Sequence, residues 1–317
     1  MAEVMKQYAN LHTHSTHSDG AYTPRELVDV ARKEGYRALS ITDHDTYTGN
    51  AEAAEACRAF GMDFLPGIEF STRSNVLSQW YHMTAFHFDP TYPAMREYLV
   101  RLSERETHQT ETLFHRGVKE GYIKGITWEE VRAYNGSITW LCNEHVFRAM
   151  VAKGLATYLD YPDFFKNVYG KHRAEVPPLH PFMEVEELIP LVHAAGGIIC
   201  LAHPYSQMKT VPALCEMGLD GIEVFHPDLP IETRREALVA ALTHDLYVSG
   251  GSDHSGLCGG QYERYADPTA TEFYFPPRTL GTTAYFFEEL RDLTKKPDRR
   301  AVMQALLDDG GIWERAK

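Results

Sequence analysis

Cysteine is scarce in this chain and follows no pattern. Five residues (57, 142, 200, 215 and 258) are scattered through 317, with no Cys-x-x-Cys pair. An odd number without motif spacing, in a chain long enough to bury a core unaided, argues against a disulfide scaffold and for a reducing compartment. Long apolar runs are missing as well. No stretch approaches the roughly 18 residues a membrane-spanning helix needs. The opening MAEVMKQYANLHTH also lacks the apolar centre of a secretory signal. No membrane association is expected, and the expected location is cytoplasmic. Positive charge is short too: 31 Lys and Arg face 44 Asp and Glu, a formal net charge of −13. Broad binding to a polyanion wants basic surface, so long nucleic acid is not an expected partner. A small phosphorylated substrate stays open, because bound metal ions reverse a local field. Internal repeats and low-complexity segments are absent.

What the chain does have is a packed-protein composition, 44% hydrophobic and 24% charged, and sixteen histidines. Its length allows one large domain or two ordinary ones. Apolar runs at 8–11, 38–42, 64–69, 79–88, 198–202, 221–225 and 247–249 predict seven strands. Helices are expected between them. Thr23-Pro24-Arg25-Glu26 and Thr127-Trp128-Glu129-Glu130 are capping boxes. Gly61 closes a helix over 51–60, and further helices are expected at 184–195, 231–242, 283–290 and 299–307. Strand–helix alternation implies a mostly parallel sheet, open or closed into a barrel. The alternation is interrupted by a charged, helical stretch. Residues 91–180 therefore read as an inserted helical subdomain, with 1–90 and 181–317 forming the main fold.

Each expected strand empties into His, Asp or Glu: His12 and His14, His44, Glu69, His82, His203, His226, then Asp253 and His254. Eight of the sixteen histidines fall on these ends or, like His87, beside one. In parallel α/β folds such ends share a rim where active sites are built. His12 and His14 alternate in extended backbone, so both side chains leave on the same side and reach one ion together. Asp19 follows after a polar turn ending in Gly20. Nine candidate ligands (His12, His14, Asp19, His44, Glu69, His82, His203, Asp253 and His254) would serve two or three divalent ions. Imidazole with carboxylate suits Mn, Zn or Fe.

His12-Thr13-His14, Asp19-Gly20, Ile41-Thr42-Asp43-His44-Asp45, Gly67-Ile68-Glu69, Ala202-His203-Pro204 and Ser252-Asp253-His254 together resemble the polymerase and histidinol phosphatase (PHP) family, in its order and spacing. The resemblance covers nearly the whole chain. It implies a distorted (β/α)7, TIM-like barrel with an inserted helical subdomain, and a di- or trinuclear metal centre. It also implies hydrolysis of a small phosphorylated metabolite or nucleotide by a metal-bridging hydroxide. Carried over by position, His12, His14, Glu69 and Asp253 would hold the first ion. Glu69, His82 and His203 would hold the second, and Asp19, His44 and His254 the third.

Asp43 and Asp45 flank a ligand and could orient it, and His226 could protonate the leaving oxygen. His145, Tyr205, Lys209, Arg73 and Arg148 are candidate substrate contacts. The chain departs from the family in three places. His254 follows Asp253 directly, Asn143-Glu144-His145 stands where small-molecule members carry Arg-Pro-His, and His87 sits where a small residue is commoner. The missing arginine, a phosphate clamp, keeps open an amidohydrolase-like reading on a carbonyl substrate. A degenerate binding module and a polymerase-associated exonuclease are weaker alternatives. Oligomeric state is not legible.

Overall fold

The computed structural model describes residues 7–253 and 281–309. Among them nine strands form two sheets. In the first, the order is β3 (Asp63–Phe64), β2 (Ala38–Leu39), β1 (Gln7–Asn10) and β9 (Thr282–Thr283). In the second it is β4 (Gly67–Ser74), β5 (Gln79–Phe86), β6 (Ile198–Leu201), β7 (Gly221–Phe225) and β8 (Tyr247–Gly250). The fold is α/β, with α1 (Pro24–Lys33), α2 (Asn50–Phe60), α7 (Val185–Ala194), α8 (Val211–Glu216) and α9 (Ile231–His244) between strands, and α10 (Ala284–Asp292) and α11 (Arg299–Asp308) after them. Between β5 and α7 lie α3 (Pro93–Glu120), α4 (Trp128–Asn135), α5 (Asn143–Ala152) and α6 (Tyr161–Phe164).

Local chemistry sets the boundaries much as expected. Thr23 and Thr127 each accept from the backbone N–H three residues on, and Glu26 and Glu130 return the bond. Gly61 takes the left-handed turn (φ +68°) that ends α2.

The sheets correct the mostly parallel expectation. β5 runs antiparallel to both β4 and β6, because β4 and β5 form a long hairpin. The run expected at 64–69 is divided between β3 and the start of β4. His82 therefore sits inside a strand rather than at its end. It pairs with Ser71, and Glu69 pairs with Thr84. Directly paired residues share a face, and so do residues two apart. Glu69 and His82 thus reach the same side through the hairpin's face, not through a shared rim.

Backbone bonds also cross between the two sheets on both sides. Leu11 N–H donates to Gly250 O (3.1 Å) and Asp253 N–H to His12 O (2.9 Å). On the other side His44 bridges Glu69 in parallel, and Asp45 N–H donates to Glu69 O (2.9 Å). Gly251 permits the first crossing: a Cβ there would lie 2.3 Å from the His12 nitrogen.

One apolar cluster lies under β4–β8 and takes in Met95, Tyr98 and Leu102 of α3 and Val185, Leu188 and Ile189 of α7. Another joins Ala9, Leu11 and Ala38 of the first sheet to Phe86, Ile198 and Cys200 of the second. Residues 114–168 have a cluster of their own, built on Phe114, Trp128, Val131, Phe147 and Phe164. The long helix α3 supplies side chains to both regions. Among the described residues no helix is long and apolar enough to cross a membrane.

Candidate metal centre

The site grows around Glu69, which is fully buried. Five imidazoles surround its carboxylate. Oε1 lies 3.2 Å from His12 Nε2, 3.3 Å from His82 Nδ1 and 3.1 Å from His203 Nε2. Oε2 lies 2.9 Å from His44 Nδ1 and 3.4 Å from His14 Nε2. Asp253 approaches the same rings, its Oδ1 2.9 Å from His14 Nε2. Asp19 completes the edge, 3.7 Å from His14 Nδ1 and 4.0 Å from His44 Nε2.

These contacts form sets whose donor atoms lie within 4.8 Å of one another: His12, His14, Glu69 and Asp253; His44, Glu69 and His82; His14, Asp19 and His44. Eight of the nine expected ligands are thereby brought together, His203 through its contact with Glu69. The ninth, His254, lies outside the described residues. The backbone bends sharply to do this. His203 and Asp253 have φ of +27° and +50°, and Asp45, beside His44, has +54°. Such conformations are costly for residues with a Cβ and concentrate at functional sites.

The residues fit divalent cations. His12 Nε2, His14 Nδ1, His44 Nδ1 and Glu69 Oε2 are buried without a hydrogen-bond partner. Buried polar atoms in proteins are rarely left so. Imidazole with carboxylate oxygen is the donor set of Mn, Fe and Zn. Burial alone would neutralise these groups, but their pairing overrides it. The Glu69 carboxyl is held well below its ordinary range by His12, His44 and His82. The His44 imidazole is pushed up to about 10 by Glu69 and Asp19. Metal ions and protons compete for these lone pairs.

The loop carrying Asp19 is held from two directions, and this revises several sequence-based roles. Asp43, expected to serve catalysis by orienting a ligand, is fully buried. It accepts from Ser15 N–H (2.6 Å), Ser15 Oγ (2.7 Å) and Ser18 Oγ (2.7 Å). With its oxygens so occupied it anchors the loop and has none directed at substrate. His145, expected to bind substrate, is also fully buried. Its Nδ1 accepts from Cys142 N–H (3.0 Å), so Nε2 carries the proton and donates to Thr16 O (3.0 Å). Arg148 donates to Gly20 O, Thr16 O (3.4 Å) and Ser18 O (3.2 Å). α5 therefore grips the Asp19 loop.

His226 is likewise buried. Its Nδ1 accepts from Asp228 N–H (3.2 Å), and its Nε2 faces Asp253 Oδ2 at 3.5 Å. That geometry turns its proton toward Asp253. Tyr205 is exposed and donates to Asp228 O (2.9 Å). Lys209 is exposed, and Arg73 lies 3.9 Å from Glu184. None of these three lines the cavity beside the metal cluster. His87 bonds Leu290 O (2.8 Å), away from the centre.

That cavity, about 380 Å³, is bordered by His44, His82 and His203 and by aromatic walls of Trp80, Trp140 and Phe182. Arg173 and Gln207 also line it. Several residues here escaped the sequence reading, among them Trp140, Arg173 and Glu223. Glu223 is 1% exposed, and its oxygens lie 3.2 Å from His12 Nδ1. It also accepts from His203 N–H (2.8 Å). The signal for it was available: a lone carboxylate in the otherwise apolar run Gly221–Phe225 must find a partner. Trp140 lies in an irregular segment and Arg173 in a short 3-10 helix (Gly170–Glu175), and neither carries a periodic signal.

Known proteins give the same picture. The PHP domain model matches residues 10–175. The 5'-3' exoribonuclease Rnm of Escherichia coli is 30% identical, over 78% of this chain and 85% of its own. The 3',5'-nucleoside bisphosphate phosphatase of Chromobacterium violaceum is 29% identical, over 80% of this chain and 89% of its own. A solved structure from Bifidobacterium adolescentis, described as a metal-dependent phosphoesterase, superimposes with a TM-score of 0.73 at 29% identity, covering 93% of this chain and 99% of that one. With its family model spanning more than half of the sequence and its candidate ligands drawn around one buried carboxylate, the chain belongs to the PHP domain family.

Proposed function

We propose that this chain hydrolyses phosphoesters of nucleotides or nucleotide-like metabolites in the cavity beside Glu69. The chain is a metal-dependent phosphoric ester hydrolase. The observation that carries the reading is the shared carboxylate: five imidazoles on the two oxygens of Glu69 suit a cluster of two or three ions. We assign His12, His14, Asp19, His44, Glu69, His82, His203 and Asp253 as ligands, with Mn, Zn or Fe as candidate metals.

When bound, such ions neutralise charge on the phosphoryl oxygens and make water nucleophilic near neutral pH. The chain's own residues prepare the ground. Glu223 holds His12 with its proton on Nδ1 and Nε2 free. His226 orients Asp253, and Asp43 and α5 hold the Asp19 loop. The nucleotide reading is supported by Trp80 and Phe182. They meet edge to face at 6.0 Å on the cavity wall, with Trp80 55% exposed and able to stack on a base.

The reading also takes the two sheets as one distorted (β/α)7 barrel, which the bonds crossing between them support. It takes residues 91–180 as a helical cap, supported by their separate apolar cluster. One expectation is withdrawn. A net charge of −13 does not exclude nucleic acid, since a relative at 30% identity is named an exoribonuclease. An RNA end falls within the proposed substrate range.

The test is elemental analysis of purified protein, then phosphate release from a panel of mononucleotides, bisphosphates and short RNA. Release that stops with chelator and returns with Mn supports the reading. Hydrolysis of an ester or lactam with no phosphoester cleaved overturns it.

A further inference from the structure

Besides the imidazoles, the cavity wall carries two hydrogen-bond donors that the metal centre does not explain. Trp140 is 5% exposed, and its indole Nε1–H is buried with no partner. An unpaired buried N–H is expensive, so a position that retains one beside a cavity points to a ligand that satisfies it. Arg173 borders the same cavity with a guanidinium fixed from behind. Its Nε donates to Gln109 Oε1 (2.9 Å) and its Nη2 to Glu106 Oε2 (2.8 Å). Glu106 is itself buried, and its other oxygen accepts from Tyr169 OH (2.6 Å). This support sets the plane of the fork, and neither bond uses Nη1. The side chain keeps 45% exposure. A guanidinium held this way loses little freedom on meeting an anion. The carboxylate on the described cavity wall, Asp45, is 3% exposed and accepts from Ser71 N–H (2.8 Å), so its charge is partly engaged.

We propose that Trp140 and Arg173 form a binding site for an anionic group of the substrate other than the one cleaved, such as a second phosphate. This rests on the phosphoester reading above. The group that reacts must lie against the cations, beside His44, His82 and His203. Trp140 and Arg173 come from the 91–180 segment, so they meet a different part of the same bound molecule. One charged and one neutral donor on a single oxyanion give charge-assisted bonds, and the indole N–H adds direction.

The experiment compares adenosine 3',5'-bisphosphate with adenosine 5'-monophosphate as substrates of the full chain loaded with Mn. Its readout is the ratio of their kcat/KM values. Arg173→Met alone strands the Glu106 carboxylate, so Arg173→Met with Glu106→Gln is measured beside it. Trp140→Phe keeps the ring and removes only the N–H. The expected preference for the bisphosphate falls roughly tenfold or more with Arg173 replaced and about threefold or more in Trp140→Phe, mostly through KM. A ratio within about twofold of wild type in a folded, active variant overturns the role of that residue. A wild-type protein that cleaves the monophosphate with no preference overturns the site as a whole. Cleavage of neither nucleotide, nor of short RNA, by metal-loaded protein counts against the phosphoester reading itself.

Discussion

Glu223 clasps His12: both carboxylate oxygens lie 3.2 Å from Nδ1, and the opposite nitrogen, Nε2, faces Glu69 at the same distance. The carboxylate fixes the ring's tautomer and raises its basicity toward a metal, while its bond to His203 N–H ties a second candidate ligand to the same anchor. Glu223→Gln is expected to weaken metal binding about 10- to 100-fold while the protein stays folded. Titration of chelator-stripped protein with Mn checks this. Wild-type affinity in the variant would remove Glu223 from the site.

Glu69 serves more than one candidate ion, so its loss has a compound effect. Glu69→Gln is expected to abolish phosphate release and to lower bound metal by more than one equivalent. Elemental analysis and a phosphate assay measure both. Unchanged turnover would count against a bridging carboxylate.

The grip of α5 on the Asp19 loop predicts a different pattern. Arg148→Met removes the side-chain donor to Gly20 O and one of the donors to Thr16 O and Ser18 O, whose others are His145 and Cys142. A destabilisation of about 1–3 kcal/mol follows, with loss of the ion nearest Asp19 before the others. Thermal unfolding and metal stoichiometry report the two effects separately. Loss of stability with full metal content would show that the loop keeps its ligand without Arg148.

Gly251 tests the crossing between the sheets. A Cβ at this position would sit 2.3 Å from the His12 nitrogen and 2.4 Å from its Cβ, contacts with no room to relax. Gly251→Ala is expected to cost about 1–3 kcal/mol or more, in the range of overpacked sites. It should displace His12 along with the crossing. A lower midpoint in denaturant, together with reduced metal content, is the expected result. An Ala variant with wild-type stability would mean that the two strands separate more easily than the close approach suggests.

The clustering of the candidate ligands was legible because chemistry left marks at fixed places: polar groups at the ends of apolar runs, and His12 and His14 in alternation. Helix boundaries were legible where caps are written out, as at Thr23 and Thr127. The direction of β5 was not, because an apolar run carries no sign of parallel or antiparallel pairing. His82 was therefore placed beside Glu69 correctly and misplaced as a strand end. What Asp43, His145 and Arg148 bond to was not legible for a related reason. Polar residues near a site look alike in sequence whether they face a ligand or hold a loop, and only their hydrogen bonds separate the two. Arg173 and Trp140 lie where no periodicity marks them, and their importance comes entirely from what they face.

The crossing at His12 has a consequence for how the protein is made. His12 is synthesised long before its partners: its carbonyl oxygen waits for the amide of Asp253 and its Nδ1 waits for Glu223. Contacts separated by more than 200 residues form late and slowly. The nascent chain thus carries unsheltered imidazoles until Glu223 and Asp253 have followed, and an ion shared with Asp253 would be captured only after that.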